Sequence, residues 1–246
     1  MDLGLTGKRV LVGGGSAGLG LGAARALTDA GCVVAINGRD QQRLDAAGSA
    51  IGAVTVQGDV GNPEGVADVV DRARAELGGI DIVIANAGGP PPGNFASTPL
   101  DAYPPALETN LLASIAMCDA VVPEMRERGW GRIIAITSIS VRQPIANLIL
   151  SNTARAGLTA FLKTLATEIA GDGVTVNSVQ PGLHATDRLR SAVGGDTDAL
   201  AATVPTGTVG DPDDFGAVVA FLCSEQARFV TGAAIPVDGG QYAGLQ

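Results

Sequence analysis

The chain has 246 residues, of which 46% are hydrophobic, and this is enough for one sizeable core. No Ser/Gly/Pro-rich linker, low-complexity tract or repeat divides it, so we expect a single domain over residues 1–246. The formal net charge is −9, from 25 acidic and 16 basic residues, and the basic residues form no stripe. These features argue against a nucleic-acid or anionic-membrane partner.

Cysteine usage and the N-terminus bear on the compartment. Cys32, Cys118 and Cys223 are odd in number and far apart, which favours free thiols in a reducing cytoplasm over a disulfide framework. The chain enters a strand-like run early, without an apolar signal segment, and no run approaches the roughly eighteen apolar residues of a membrane span. We therefore expect a cytoplasmic protein that is neither secreted nor inserted in a membrane.

Short β-branched runs alternate with longer amphipathic stretches along the chain. Strands are predicted near Val10–Val12, Val33–Asn37, Val54–Val56, Ile80–Ala85, Ile133–Thr137, Val174–Val179 and Ala234–Val237. Helices are predicted near Gly18–Ala30, Gln41–Ile51, Pro63–Leu77, Ala106–Arg128, Ser151–Ala170 and Asp213–Ser224. Apolar strands joined by helices indicate a parallel sheet covered on both faces. The predicted fold class is α/β, a Rossmann-like doubly wound parallel sheet that binds ligands beyond the carboxyl ends of its strands.

A glycine pattern follows the first strand and opens the first helix. In V-L-V-G-G-G-S-A-G-L-G, Gly14, Gly18 and Gly20 are the fixed positions of G-x-x-x-G-x-G, with Ser16 and Leu19 between them. Free amides and the positive end of a helix can hold a pyrophosphate there, and glycine lets the phosphates approach. Among 35 glycines the pattern could be a plain tight turn, but its strand-to-helix context favours dinucleotide binding.

The end of the second strand, A-I-N-G-R-D, bears on which dinucleotide is bound. An acid there would hydrogen-bond the 2′-hydroxyl of an adenosine ribose and repel a 2′-phosphate. Gly38 stands in that place, and Arg39 follows it with a fork of donors suited to phosphate. NADP(H) is therefore favoured over NAD(H), although Asp40 could neutralise Arg39, or Arg39 could be a solvated charge at the start of a helix.

Polar motifs also follow the third and fourth strands. Asp59 and Val60 come directly after the third strand, and Asn86 and Gly88 belong to an N-A-G turn after the fourth. On chemistry alone, Asp59 could bind a ligand or could equally cap the helix that begins near Pro63.

The fifth strand and the following helix carry a serine frame. Ser138 ends the strand-like run, Ser151 lies thirteen positions later, and Arg155 lies four positions after that. A P-G-x-x-x-T motif follows the sixth strand: Pro181, Gly182 and Thr186. In this order, and together with the earlier motifs, these residues resemble the short-chain dehydrogenase/reductase (SDR) family over essentially the whole chain. The likeness is greatest to the 3-oxoacyl-[acyl-carrier-protein] reductase-like group.

The resemblance implies a reductase whose proton donor is altered. In SDR reductases a Ser binds the substrate oxygen, a Tyr protonates it, a Lys lowers the Tyr pKa and binds the nicotinamide ribose, and an Asn holds a relay water. Ser138 matches the Ser and Asn110 matches the Asn, whereas Ser151 replaces the Tyr and Arg155 replaces the Lys. The resemblance also implies an adenine contact at Asp59 and Val60, and a nicotinamide contact at the P-G-x-x-x-T loop.

The replaced pair weakens proton donation. Serine is shorter than tyrosine and a far weaker acid than a phenol, whose pKa is about 10. Arg155 keeps a cation able to grip ribose hydroxyls, but a pKa above about 12 makes arginine a poor proton carrier. His184 lies in the nicotinamide loop and could be a substitute acid or a plain surface residue. Arg142 and Asn147 could line the substrate pocket or could be ordinary loop polarity.

Two functions remain. The first is an NADP(H)-dependent reductase of a small-molecule carbonyl or imine, and the second is a dinucleotide-binding pseudoenzyme that serves as a sensor or assembly subunit. The retained Ser138 and Asn110 favour the first, and no metal site is predicted. In SDR relatives the helices that match Ala106–Arg128 and Ser151–Ala170 pair subunits, so a homotetramer or at least a homodimer is expected.

Overall fold

The computed structural model describes residues 2–192 and 198–245. This part of the chain forms one parallel sheet of seven strands in the order β3-β2-β1-β4-β5-β6-β7. The strands are β1 (Arg9–Val12), β2 (Val33–Gly38), β3 (Val54–Gln57), β4 (Ile82–Ala85), β5 (Gly131–Ile136), β6 (Val174–Pro181) and β7 (Ala234–Val237). The prediction of a Rossmann-like doubly wound sheet is confirmed.

Helices cover both faces of the sheet. They are α1 (Gly18–Asp29), α2 (Gln41–Ile51), α3 (Pro63–Leu77), α4 (Tyr103–Leu107), α5 (Ala113–Arg128), α6 (Ile149–Ile169), α7 (Asp187–Ala192), α8 (Asp198–Ala201) and α9 (Pro212–Cys223). Buried residues of α1, α2 and α9, such as Leu27, Leu44 and Phe215, share one core cluster. Those of α3, α5 and α6 share the other. The strand order changes direction between β1 and β4, so a ligand-binding crevice is expected there.

The main departure from the predicted elements lies before α5. The predicted helix near Ala106–Arg128 begins earlier, with a 3₁₀ turn at Leu100–Ala102, then α4, then a π-helical turn at Glu108–Leu112. Pro104 and Pro105 suggest a break in the sequence, but they lie in the first turn of α4, where a missing N–H costs no hydrogen bond. The short helices α7 and α8 were not predicted, because a few residues show no periodicity.

The stretch Leu100–Arg128 contains an 18-residue window with a mean hydropathy of 1.2, which is long and apolar enough to cross a membrane by length and composition alone. The sequence analysis did not expect such a stretch. In the folded domain Met117, Val121 and Met125 are buried against the sheet and α3. The apolar side chains of this helix therefore contribute to the domain's own core.

The core also includes residues of α6, the helix that was expected to pair subunits. Leu158 and Leu162 of α6 are buried, and Phe161 and Leu165 pack against the same cluster. These side chains stabilise the monomer, so they do not by themselves indicate a second apolar face.

The three cysteines are buried free thiols, as the sequence predicted. Burial raises the pKa of Cys32 and of Cys118 to about 12. These thiols are therefore protonated and unreactive at neutral pH.

Candidate active site

The carboxyl end of β1 leads into a glycine loop that turns under α1. Gly18 has a φ of +55°, a left-handed conformation that favours glycine. A Cβ on Gly20 would overlap with the carbonyl oxygen of Gly14, so only glycine fits there. Asn86, after β4, closes the loop: its Nδ2 donates to the carbonyl oxygens of Gly13 and Gly14 at 3.1 and 3.3 Å. Backbone conformation and the side chain of Asn86 together therefore define the shape of this cradle.

The start of α1 suits an anion. Its N-cap is Ala17 and its first turn reads G-L-G-L, so within the described chain neither a capping oxygen nor an acidic side chain of that turn competes for its amides. The amides and the helix dipole together favour a bound phosphate. Because a side chain at position 20 would fill the cradle, these residues fit the diphosphate of a dinucleotide.

At the end of β2, Gly38 occupies the place where an acid would bind the 2′-hydroxyl of an adenosine ribose. A Cβ on Gly38 would lie 2.9 Å from the Ser16 Oγ, so a carboxylate there requires Ser16 to move. Arg39 is exposed, and its Nη1 lies 3.9 Å from an Asp59 carboxylate oxygen. Asp40 instead caps α2 by accepting from the Arg43 amide at 2.9 Å. Asp59, and not Asp40, is thus the acid that faces Arg39.

The structure excludes one of the two roles considered for Asp59, that of helix cap. Helix α3 is capped by Asn62, whose Oδ1 accepts from the Gly65 amide at 2.8 Å. Asp59 accepts from the Gly61 amide at 2.9 Å and so shapes the turn after β3. The helix-cap alternative for Asp59 is therefore wrong, and its carboxylate faces the groove.

Two adjoining cavities contain every residue predicted for the site. One, here the serine cavity, has a volume of about 510 Å³ and includes Gly18, Leu19, Gly20, Asn86, Gly88, Ser138, Ser151, Arg155, Pro181, Gly182 and Thr186. The other, here the Arg39 cavity, has a volume of about 870 Å³ and includes Gly14, Ser16, Arg39, Asp59, Val60, Asn86, Gly88 and Asn110. Arg43, which the sequence analysis missed, lines both. Together the cavities form one groove over the carboxyl ends of the strands.

The two serines of the frame lie in the wall of the serine cavity. Ser138 follows β5, and its Oγ accepts from the Ser140 amide at 3.1 Å. In the described part of the chain the Ser138 hydroxyl donates to no protein acceptor, so its proton is available for a ligand. Ser151 lies in the first turn of α6 and is 8% exposed, so its hydroxyl is largely shielded from solvent.

The guanidinium of Arg155 is directed inward. Its Nη1 donates to the carbonyl oxygens of Ile136, at 3.2 Å, and of Thr137, and its Nη2 donates to the Asn110 Oδ1 at 3.1 Å. Burial, and next the nearby cation Arg188, lower the pKa of Arg155 to about 10, so it stays charged at neutral pH. The sequence analysis expected this cation to grip a ribose, but these donors bind the protein itself.

Asn110 bonds both to its own helical segment and to Arg155. It lies on the π-helical turn, a feature often found at functional sites. Its Nδ2 donates to the carbonyl oxygen of Ala106 at 3.3 Å, while its Oδ1 accepts from Arg155 at 3.1 Å. The amide therefore bonds to a neighbouring carbonyl and also reaches the serine frame.

His184 is placed as a structural residue of the nicotinamide loop. It is 6% exposed, its ring packs edge-on against Phe215 at 5.2 Å, and its Nδ1 lies 3.2 Å from the Gly182 carbonyl oxygen. Since a carbonyl only accepts, the Nδ1 carries the hydrogen. Burial lowers the pKa of His184, so the ring is neutral at pH 7, which disfavours it as a proton donor.

Other candidate polar residues lie outside the serine cavity. Arg142 donates to the Gln180 Oε1 at 2.9 Å and to the Ala234 carbonyl at 2.6 Å, beside a different cavity between α6 and β7. Asn147 is exposed, and its backbone carbonyl accepts from Gly93. Of the described residues that line the serine cavity, none is a tyrosine or a lysine. Residues 2–192 and 198–245 also contain no group of three His, Cys, Asp or Glu side chains that could hold a metal.

The loop after β6 brings one further cation to the cavity. Thr186 caps α7 by accepting from the Leu189 amide at 3.3 Å, and this places Arg188 on the first turn of the helix. The Arg188 Nη2 donates to the Pro90 carbonyl oxygen at 3.0 Å, across the groove. The sequence analysis did not identify Arg188, because nothing local relates it to the loop after β4.

A parallel sheet of this order with a glycine cradle after its first strand defines a dinucleotide-binding protein. A family model described as Enoyl-(Acyl carrier protein) reductase matches residues 14–241. The chain is 36% identical over 239 residues to Nodulation protein G of Azospirillum brasilense, covering 95% of this chain and 97% of that protein. It is 33% identical over 240 residues to the 3-oxoacyl-[acyl-carrier-protein] reductase FabG of Vibrio cholerae, covering 97% and 98%.

Among solved structures, the L-sorbose reductase of Gluconobacter frateurii, complexed with NADPH and L-sorbose, superposes with a TM-score of 0.91. The identity is 32%, and the match covers 100% of both chains. The chain belongs to the short-chain dehydrogenase/reductase family of oxidoreductases, as the sequence motifs predicted.

The cradle generates a first prediction. Gly20→Ala places a methyl group against the Gly14 carbonyl oxygen, and backbone cannot yield as a flexible side chain would. We expect the NADPH dissociation constant, measured by calorimetry, to rise at least about tenfold, with a loss of about 1–3 kcal/mol in unfolding free energy. Gly171→Ala is the control, because a Cβ there meets no atom within 4 Å. Unchanged NADPH affinity in Gly20→Ala would contradict the assignment.

Proposed function

We propose that this protein is an NADP(H)-dependent oxidoreductase that reduces a carbonyl or imine group of a small molecule. It resembles the 3-oxoacyl reductases but uses a different proton source. One observation carries the proposal: the hydroxyl of Ser138 and the cation of Arg155 share a cavity with the dinucleotide cradle at Gly18 and Gly20.

The preference for NADP(H) is supported by the second strand end. The position of the ribose-binding acid is Gly38, where a side chain would collide with Ser16. Arg39 and Arg43 both line the adjoining cavity, so two cations are available for a 2′-phosphate. The weak contact with Asp59 leaves the exposed Arg39 free to change partner.

The remaining residues support charge stabilisation at the substrate oxygen. NADPH, when bound, would supply a hydride to the carbonyl carbon; the π electron pair would move to the oxygen, which would then take a proton. Ser138 donates a hydrogen bond to that oxygen, since its hydroxyl accepts from the Ser140 amide and keeps its proton free. Arg155 adds a fixed positive charge in a partly buried site, where it stabilises negative charge on the substrate oxygen more strongly than it would in water.

The proton must come from a weaker source than the family's tyrosine. Without a positioned general acid, the rate falls by about 10²–10⁴, equivalent to roughly 3–5 kcal/mol of barrier. Ser151 leaves space that a longer side chain would fill, so we propose a water hydrogen-bonded to Ser151 as the donor. An imine substrate already protonated at nitrogen would need no such donor.

One observation favours the second candidate, a dinucleotide-binding pseudoenzyme. The two terminal nitrogens of Arg155 donate to Ile136, Thr137 and Asn110. The groups that would bind the ribose and the relay water in the family are therefore partly engaged in hydrogen bonds within the protein. A protein of this kind would bind NADPH with normal affinity and show no turnover on a panel of ketones and imines.

We also propose that the protein is cytoplasmic and forms a homotetramer or homodimer, since SDR family members commonly form oligomers. Leu112, on the π-helical turn, is 47% exposed and would be covered by such a contact. Light scattering at micromolar concentration is expected to show more than a monomer, and a monomer would contradict the proposal.

The cofactor proposal predicts a selective effect at Arg39. Arg39→Ala should weaken NADPH binding by about 10- to 100-fold, the worth of one charge-assisted hydrogen bond of roughly 1.5–3 kcal/mol. NADH binding should change less than about twofold, because NADH lacks the 2′-phosphate. Arg228→Ala, an exposed change remote from the groove, is the control. Equal affinities for the two cofactors in the wild type would refute the preference.

The replaced pair predicts the outcome of restoring the family's residues. If Ser151 and Arg155 are adapted to another proton source, Ser151→Tyr with Arg155→Lys should lower kcat on the best substrate of a ketone and imine panel. The tyrosine would fill the space of the proposed water, and lysine could not keep all three Arg155 contacts in the same fork geometry. Improved turnover in the double variant would show instead that the pair had decayed.

Two further measurements accompany that experiment. Ser138→Ala should reduce kcat markedly, and unchanged activity would remove the reductase proposal.

The wild-type kcat should be flat between about pH 7 and pH 9, because Arg155 with a pKa of about 10 stays charged and His184 with a lowered pKa stays neutral. A fall in kcat as the pH rises through that range would indicate a titrating acid.

A further inference from the structure

Arg188 places an exposed guanidinium at the serine cavity, and the described chain does not neutralise it. Its Nη2 donates to the backbone carbonyl of Pro90 at 3.0 Å, and the group lies so close to Gly89 that a Cβ there would overlap with it. Within residues 2–192 and 198–245, no carboxylate lies within 4 Å of Arg188. Its sequence neighbour Asp187 instead pairs with Arg190 at 3.3 Å.

The wall of the serine cavity combines apolar side chains and neutral polar groups with further cations and one acid, Asp187, which pairs with Arg190. The apolar side chains that line the serine cavity include Ile139, Ile145, Leu148, Leu183 and Leu189. Arg155 is a second cation in the same wall, and its interaction with Arg188 is unfavourable enough to add to the effect of burial on the Arg155 pKa. A bound anion would relieve this repulsion, whereas a neutral ligand would not.

We propose that Arg188 binds an anionic oxygen group, and that this group is a carboxylate of the substrate. The apolar side chains would hold the substrate's hydrocarbon part, while its carbonyl or imine lies at Ser138. This inference rests on the proposed function for the carbonyl, but the anion site itself depends only on Arg188 and its cavity.

The dinucleotide diphosphate is the other source of an anion. It already has the amides at the start of α1, with Arg43 beside the same groove. Arg188 instead contacts the backbone of Gly89 and Pro90, after β4, and it shares the cavity wall with the apolar side chains that would hold a substrate's hydrocarbon part. The substrate is therefore the favoured source, and the experiment separates the two.

The test compares two probes of equal length and different charge. Octanoate and octanamide are titrated by calorimetry into the full-length protein, alone and saturated with NADP+. The wild type should bind octanoate about tenfold more tightly than octanamide, the worth of one charge-assisted contact. Arg188→Met should abolish this preference, and Arg188→Lys should keep part of it.

Matched variants and a cofactor titration complete the design. Arg190→Met removes an exposed arginine from the same helix and should keep the octanoate preference. Arg188→Met should leave NADPH affinity within about twofold of the wild type. Arg188→Gln provides a second neutral variant if Arg188→Met fails to fold.

Three results would overturn the inference. The first is a wild type that does not prefer octanoate, and the second is a preference for octanoate that survives in both Arg188→Met and Arg188→Gln. The third is a tenfold loss of NADPH affinity in those two variants with the octanoate preference intact. The last result would assign Arg188 to the diphosphate. A wild type that prefers octanoate but binds neither NADPH nor NADH would instead refute the proposed function and leave the anion site supported.

Discussion

The guanidinium of Arg155 joins three parts of the chain that are distant in sequence. It connects α6 to the carbonyl oxygens at the end of β5 and to Asn110 on the π-helical turn. Ser138 emerges directly after that strand end, so its position depends on this contact. Losing the guanidinium would leave buried acceptors unsatisfied, at about 1–3 kcal/mol each. The serine frame, the turn and the cavity wall are therefore held by one side chain.

The same contact has a chemical consequence. A cation bonded to three protein oxygens contributes charge to the cavity but does not carry a proton, because its pKa stays near 10. Under the proposed function, the site would rely on a hydroxyl donor and a fixed positive charge, without the acid that a tyrosine would supply. Substrates whose oxygen or nitrogen needs little protonation in the transition state suit such a site best.

Charge is distributed unevenly between the molecule and its groove. The chain has a net charge of −9, yet the two cavities are lined by four arginines and three acidic residues: Arg39, Arg43, Arg155, Arg188, Asp59, Glu108 and Asp187. A locally positive groove on an acidic protein attracts anionic ligands and orients them. The two ends of the groove fit this pattern, with a 2′-phosphate expected at Arg39 and a carboxylate at Arg188.

Local sequence determined the strands, most helices and the glycine cradle, because periodicity and the backbone needs of Gly18 and Gly20 are properties of neighbouring residues. It also identified residues that lie in one groove, since the carboxyl ends of parallel strands meet at one edge of a sheet. Only the tertiary structure decided which side chains face one another across that edge. Asp59, rather than Asp40, faces Arg39, and Arg188 reaches the loop after β4. These contacts join segments separated by about 20 to 100 residues, so their geometry follows from the packing of the whole domain and not from the local sequence.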